Sequence, residues 1–141
     1  MTGSGDLVLD VSLSCAWCFA DEASPAAWAV LERLRDAVAH VPSLWLWETG
    51  NVLVQAERRG RISAAAIRTF LGMLETLPIS IDHPNTASAW HDTLALARSH
   101  SLTTYDAAYL ELALRRGLPL ASRDKALETA ARVEGVPLLP T

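Results

Sequence analysis

At 141 residues the chain has the length of one domain, and with half its residues hydrophobic and a fifth charged it has the composition of a globular fold rather than a disordered segment. A formal net charge of −4 argues against a protein that coats nucleic acid indiscriminately. Cys15 and Cys18 are the only cysteines, which excludes a secreted-type disulfide framework, and Lys125 is the only lysine among otherwise arginine cations.

The opening MTGSGDLVLD is small and polar, and Asp6 and Asp10 interrupt any run that would serve as a signal peptide. Within it DLVLD predicts a short buried strand at about residues 6–10. SPAAWAVLERLRDAVA predicts an amphipathic helix with Ser24 as N-cap and Pro25 at its first position. HVP is read as a brief strand, and the following segment as a helix from about Leu44 to Arg59, stopped by Gly60. SAAAIRTFLGMLETL predicts a helix capped by Ser63, PISI a strand, and NTASAWHDTLALARSH a helix. LTTYDAAYLELA begins another: Thr103 and Asp106 have capping-box spacing, and Tyr105, Ala108, Tyr109 and Leu112 are expected on its buried face. RRGLPLAS and VEGVPLLP then repeat one connection, with Gly117 and Gly135 ending helices and Pro119 and Pro137 starting strands around the helix KALETAARV.

Short strands alternating with helices predict an α/β fold, a three-layer α/β/α sandwich around a mostly parallel sheet of four or five strands, forming a single domain over residues 1–141. No stretch is apolar and long enough to span a membrane, so a soluble cytoplasmic protein is expected. In open parallel sheets ligands bind beyond the carboxyl ends of the strands.

Four acids bear on such a site. Asp10 ends the first strand, Asp124 lies just past PLAS, and Asp106 opens a helix; each has an ordinary alternative as a turn or capping residue. Glu48 shares the i, i+4, i+8 line with Leu44 and Val52, which places a carboxylate toward the buried side, where it needs a cation, a proton or hydrogen-bond donors. Pairing with an arginine is the plain structural reading, and Asn51 is a polar neighbour one turn on. If the four meet, one lysine cannot neutralise them, whereas a divalent cation with oxygen ligands, Mg²⁺ or Mn²⁺, can. Whether the Asp106 helix runs back to the same edge is left open at this level.

LVLDVSLSCAWCFADE, VPSLWLWETGNVL, LTTYDAAYLELA and LASRDKAL, in this order and over nearly the whole chain, resemble the PIN-domain family, most closely the VapC-type toxins. The resemblance puts Asp10, Glu48, Asp106 and Asp124 at the family's acidic metal positions. It sets Ser12 at the small hydroxyl residue after the first Asp, and Ser122 where threonine is common. It implies a metal-dependent endoribonuclease that hydrolyses RNA phosphodiester bonds with metal-activated water, acts as the toxin of a toxin–antitoxin pair, and forms a homodimer neutralised by a small antitoxin. Arg123, beside Asp124, is the best candidate among the arginines for an RNA phosphate.

Two other readings compete. CAWC has the spacing and placement of a thiol redox motif, against the plainer view that both cysteines are small buried hydrophobes. A catalytically inactive PIN-like interaction module is the other. A phosphate-accepting receiver domain is disfavoured, because it wants paired early acids and a lysine past a later strand. His40, His83, His91 and His100 lack zinc-ligand spacing, and most of them are expected in loops or at the surface. Trp45 and Trp47 cannot share a helix face, and an outward one is an interface candidate.

Overall fold

A computed structural model describes residues 5–139. Strand β1 (Leu7–Leu9) is followed by the short helix α1 (Val11–Ser14), a 3₁₀ turn at Cys15–Trp17 and helix α2 (Pro25–Arg33). Strand β2 (Ala39–Pro42), helices α3 (Leu44–Arg58) and α4 (Ala64–Glu75) and strand β3 (Ile79–Asp82) come next. A π-helical stretch at Ser88–Thr93 runs into α5 (Leu94–His100), followed by α6 (Thr104–Arg116), β4 (Leu120–Ala121), α7 (Lys125–Val133) and β5 (Leu138–Leu139).

The strands form one sheet in the order β3-β2-β1-β4-β5, and every neighbouring pair is parallel. Each step needs a crossover, and right-handed crossovers assign the helices to faces. Those leading from β1 to β2 to β3 carry α1 to α4 over one face; those leading to β4 and β5 carry α5 to α7 over the other. The expected α/β/α sandwich with a parallel sheet is the observed fold. Because both faces are covered, Leu7, Val8 and Leu9 are all fully buried, with no inside–outside alternation.

Local chemistry sets the helix starts. The hydroxyls of Ser24, Ser63 and Thr103 accept the amides of Ala27, Ala66 and Asp106, each at 3.1 Å. Gly117 and Gly135 take the left-handed conformation at the two helix ends, and strands follow. Trp17 and Trp45 bury their rings and donate their indole N–H groups to the Ala27 carbonyl and the Ser14 hydroxyl.

Four expectations are corrected. Helix α2 closes at Arg33, because Leu34, Arg35 and Asp36 pass into tight i→i−3 turns that aim the chain at β2. On α3 the buried stripe is Trp45, Thr49, Leu53 and Ala56, one residue out of phase with the predicted line, so Glu48 is on its flank, half-buried. Tyr105 is 63% exposed, because the first turn of α6 stands clear of its neighbours. His40 and His100 are largely enclosed, bonded to Asp6 at 3.1 Å and Glu134 at 2.7 Å. Trp45 and Trp47 do face opposite ways, Trp47 being 80% exposed.

Candidate active site

Asp10 leaves the carboxyl end of β1 and is 2% exposed. Its amide donates to the Ala121 carbonyl, and its own carbonyl accepts from Leu13 and Ser14, so its backbone is fixed between the sheet and α1. The Ser12 and Ser122 hydroxyls donate to the same carboxylate oxygen, Oδ2, at 2.6 and 2.7 Å. Those hydroxyls in turn accept the amides of Arg123 at 2.9 Å and Asp124 at 3.0 Å. A hydroxyl that accepts from an amide has its own proton free for a carboxylate, so the turn after β4 is keyed onto Asp10 through two serines. Oδ1 of Asp10 takes no donor among the described residues.

Asp124 is the N-cap of α7: Oδ1 accepts the Leu127 amide at 3.0 Å, so its ordinary capping role is realised and its other oxygen is left over. Asp106 is at the third position of α6. The Thr103 hydroxyl accepts its amide, but no return bond from the Asp106 carboxylate to the Thr103 amide forms, so the capping box is half made. Glu48 accepts a 2.6 Å bond from the phenol of Tyr109, a fully buried residue of α6. That bond takes the place of the arginine the plain reading supplied. Sequence spacing put Tyr109 on a buried face but gave no sign of this partner, which comes from another helix.

These carboxylates share one electrostatic field. Burial raises the Asp10 pKa first; the two serine bonds pull it down, and the charges of Asp106 and Asp124 push it up. Burial also raises Glu48, against the Tyr109 bond and together with Asp10 and Asp106. Asp106 is raised by burial and by Asp124, with Thr103 acting the other way. No arginine or lysine opposes these shifts. Among the described residues, no three histidine, cysteine, aspartate or glutamate side chains converge tightly enough to clasp an ion by themselves.

The donor set nonetheless suits a hard divalent cation. It is all oxygen, it is uncompensated, and it retains lone pairs on Asp10 and Asp124. Mg²⁺ keeps several waters and is held by one or two carboxylates together with substrate phosphate, rather than by a closed protein cage.

The remaining predicted residues are placed elsewhere or otherwise engaged. Asn51 is exposed and accepts from Gln55 at 3.4 Å. Arg123 turns its guanidinium to Glu22 at 3.2 Å. Arg61 binds Asp21 and Glu22 and covers the Phe19 ring. Arg115 and Arg116 are drawn to Asp82, a buried acid at the end of β3 that spacing does not flag; Arg115 also holds the buried Glu111 at 2.8 Å.

Both cysteines are free thiols, and burial pushes Cys15 up to about 12. A thiol held neutral at physiological pH is a poor nucleophile, which disfavours the redox reading. In the native protein Cys15 should resist a thiol reagent that labels the partly exposed Cys18, and denaturant should equalise them; fast native labelling of Cys15, read by peptide mass spectrometry, would restore the redox reading.

A family model described as PIN domain matches residues 7–133. Ribonuclease VapC3 of Pyrobaculum aerophilum is 30% identical over 121 residues, covering 86% of this chain and 91% of the relative. Exonuclease VapC9 of the same organism is 32% identical over 107 residues, covering 75% of this chain and 73% of the relative. The crystal structure of PAE2754 from Pyrobaculum aerophilum superposes with a TM-score of 0.69, over 89% of this chain and 78% of its own, at 25% identity. VapC20 of Mycobacterium tuberculosis, described as a sarcin–ricin loop cleaving toxin, superposes with a TM-score of 0.62 over 88% of this chain and 94% of its own; at 15% identity this is a likeness of fold.

Proposed function

This chain belongs to the PIN-domain family, and from that premise we propose that it is a metal-dependent endoribonuclease, the toxin of a toxin–antitoxin pair, with Asp10, Glu48, Asp106 and Asp124 as its metal-binding acids. The observation that carries the reading is a buried Asp10, oriented by two serines, within the field of three further carboxylates that no cation opposes. When bound, Mg²⁺ or Mn²⁺ supplies an acidified water and charge relief on the scissile phosphate. Ser12 and Ser122 fix the orientation of Asp10, and Tyr109 fixes that of Glu48. Arg123 exchanges Glu22 for an RNA phosphate. Among the described residues no helix is long and apolar enough to cross a membrane. The protein acts in the cytoplasm as a homodimer, with a small antitoxin covering the acids until it is removed.

The name of the relative VapC9 favours a second reading, removal of nucleotides from an end. A covalently closed circular RNA separates the two. An endonuclease opens the circle in Mn²⁺ and not in chelator. Degradation of linear RNA alone would make the enzyme an exonuclease, and no cleavage of either form with Mg²⁺ or Mn²⁺ would overturn the nuclease assignment.

A further inference from the structure

Beside the four acids is a cleft of about 320 Å³ that their chemistry does not use. It opens at the same carboxyl edge of the sheet, since its lining includes Pro42 at the end of β2 and Asp82 at the end of β3. It adjoins the acids along the chain at two points: Leu44 is one helical turn before Glu48, and Tyr105 immediately precedes Asp106.

Its rim carries two large aromatic side chains, Trp90 at 71% and Tyr105 at 63% exposure. Packing explains neither, because rings left in water forfeit the burial that normally keeps them inside. Trp90 is presented by the π-helical stretch Ser88–Thr93, a backbone form that is rare and frequently found at functional sites. The carboxylates of the lining, Asp82 and Glu111, are held by Arg115, so the cleft does not add a bare negative charge to that of the acids.

We propose that this cleft is a base-binding slot, in which an unpaired base of the RNA strand stacks on Trp90 and Tyr105 while its neighbouring phosphate lies at the four acids. The proposal rests on the nuclease reading and assigns the side chains that would engage a base of an unpaired strand, whose bases are free to leave a stack. A base fits better than a protein partner. A protein interface spreads over about 800 Å² on each side, whereas this cleft of about 320 Å³ has room for about one ring system, is lined by both aromatic side chains, and meets the acids along the chain at Tyr105–Asp106. Stacking on aromatic side chains tolerates any base, so the slot selects for strandedness more than for sequence.

Binding is measured by fluorescence anisotropy on the native protein in Mg²⁺, with an end-labelled single-stranded oligoribonucleotide of mixed sequence whose hydrolysis-resistant phosphorothioate linkages let the probe survive. Trp90→Ala weakens binding about tenfold, Tyr105→Ala does likewise, and Trp90→Phe retains most of the affinity, because any aromatic face stacks. Duplex RNA of the same sequence binds equally with and without the Trp90→Ala substitution, and sedimentation gives the same mass for both proteins. Unchanged single-strand binding in Trp90→Ala overturns the slot, as does failure of the native protein to bind the probe. A drop in oligomeric mass on Trp90→Ala also overturns it, since the ring then packs on a second copy. The native protein's cleavage of RNA in Mn²⁺ reads the nuclease assignment separately: Trp90-dependent binding without cleavage keeps the slot and removes the enzyme, and cleavage with Trp90-independent binding does the reverse.

Discussion

Asp106→Asn is expected to abolish RNA cleavage while leaving the metal-free protein at least as stable as the native one. Asparagine still offers its backbone amide to Thr103 and suits a helix start, so the cap survives; losing a cap outright costs about 1 kcal/mol. A metal ligand is different in kind. Its loss removes several kcal/mol of charge stabilisation, and about 4 kcal/mol is a thousandfold in rate. Asp10→Asn is expected to behave the same way, because an asparagine oxygen can accept both serine hydroxyls.

The pH dependence follows from the direction of the shifts. Asp10, Glu48 and Asp106 are raised above their ordinary values of 3.8 and 4.5, so between those values and the folded ones the native state holds more protons than the unfolded chain. Their contribution to stability therefore falls as pH rises through that window, and the penalty is complete above it. In chelator the native protein loses stability across the window more steeply than Asp10→Asn. Saturating Mn²⁺, by about 2.7 kcal/mol at a hundred times its dissociation constant, stabilises the native protein and not the variants. Thermal melts at two pH values, with and without Mn²⁺, read all of this. A fully active purified Asp106→Asn protein would return that residue to capping alone.

The second large effect concerns stability. Arg115 joins Asp82 on β3 to Glu111 on α6, with bonds of 2.7 and 3.1 Å to Asp82 and 2.8 and 3.0 Å to Glu111. Both acids are buried, whereas Arg115 is about one-third exposed. Arg115→Ala leaves Glu111 without its partner and Asp82 with only the 3.5 Å contact of Arg116; breaking a buried pair costs about 3–5 kcal/mol, and partial exposure puts the expected loss toward the lower figure. Arg115 is the main cause of the lowered Asp82 pKa, so in the native protein Asp82 contributes stability above 3.8 that is lost as pH falls through its folded value. In Arg115→Ala most of that contribution is lost, Arg116 alone remaining beside Asp82, and the deficit is largest at neutral pH and shrinks toward pH 4 as the acids protonate. Urea denaturation at two pH values checks it; a loss below about 1 kcal/mol at neutral pH would make the network ornamental. Asp82→Asn with Arg115→Ala should recover part of the loss, since it removes the stranded charge.

The contrast between these two sites marks what a sequence can carry. Asp10 and Asp124 were legible because each follows a short apolar strand with a clear end, and strand ends imply an edge. Helix starts were legible at Ser24, Ser63 and Thr103 because capping is a contact over three residues. Glu48 was placed one residue out of phase because Leu44, Trp45, Leu46 and Trp47 are all apolar, which leaves the face of the helix undetermined. The Asp82 network was missed because only its Glu111–Arg115 half has helical spacing; the other half spans 33 residues between different elements. The π-helical turn at Ser88–Thr93 carried no signal, since its residues read as an ordinary helix.

The central place of β1 in the sheet has a consequence during synthesis. Of the two neighbours of β1, β2 is made soon after it and β4 much later: Asp10 and its partner Ser122 are 112 residues apart. At about 5–20 residues per second, the nascent chain exists for on the order of ten seconds with β1 and β2 available to pair but neither Ser122 nor Asp124 yet made. Long-range parallel pairing is also slow to close once both strands are present. The pocket that orients Asp10 therefore cannot be completed until the turn carrying Ser122 has been translated, so the proposed nuclease centre is absent from the nascent chain throughout that interval.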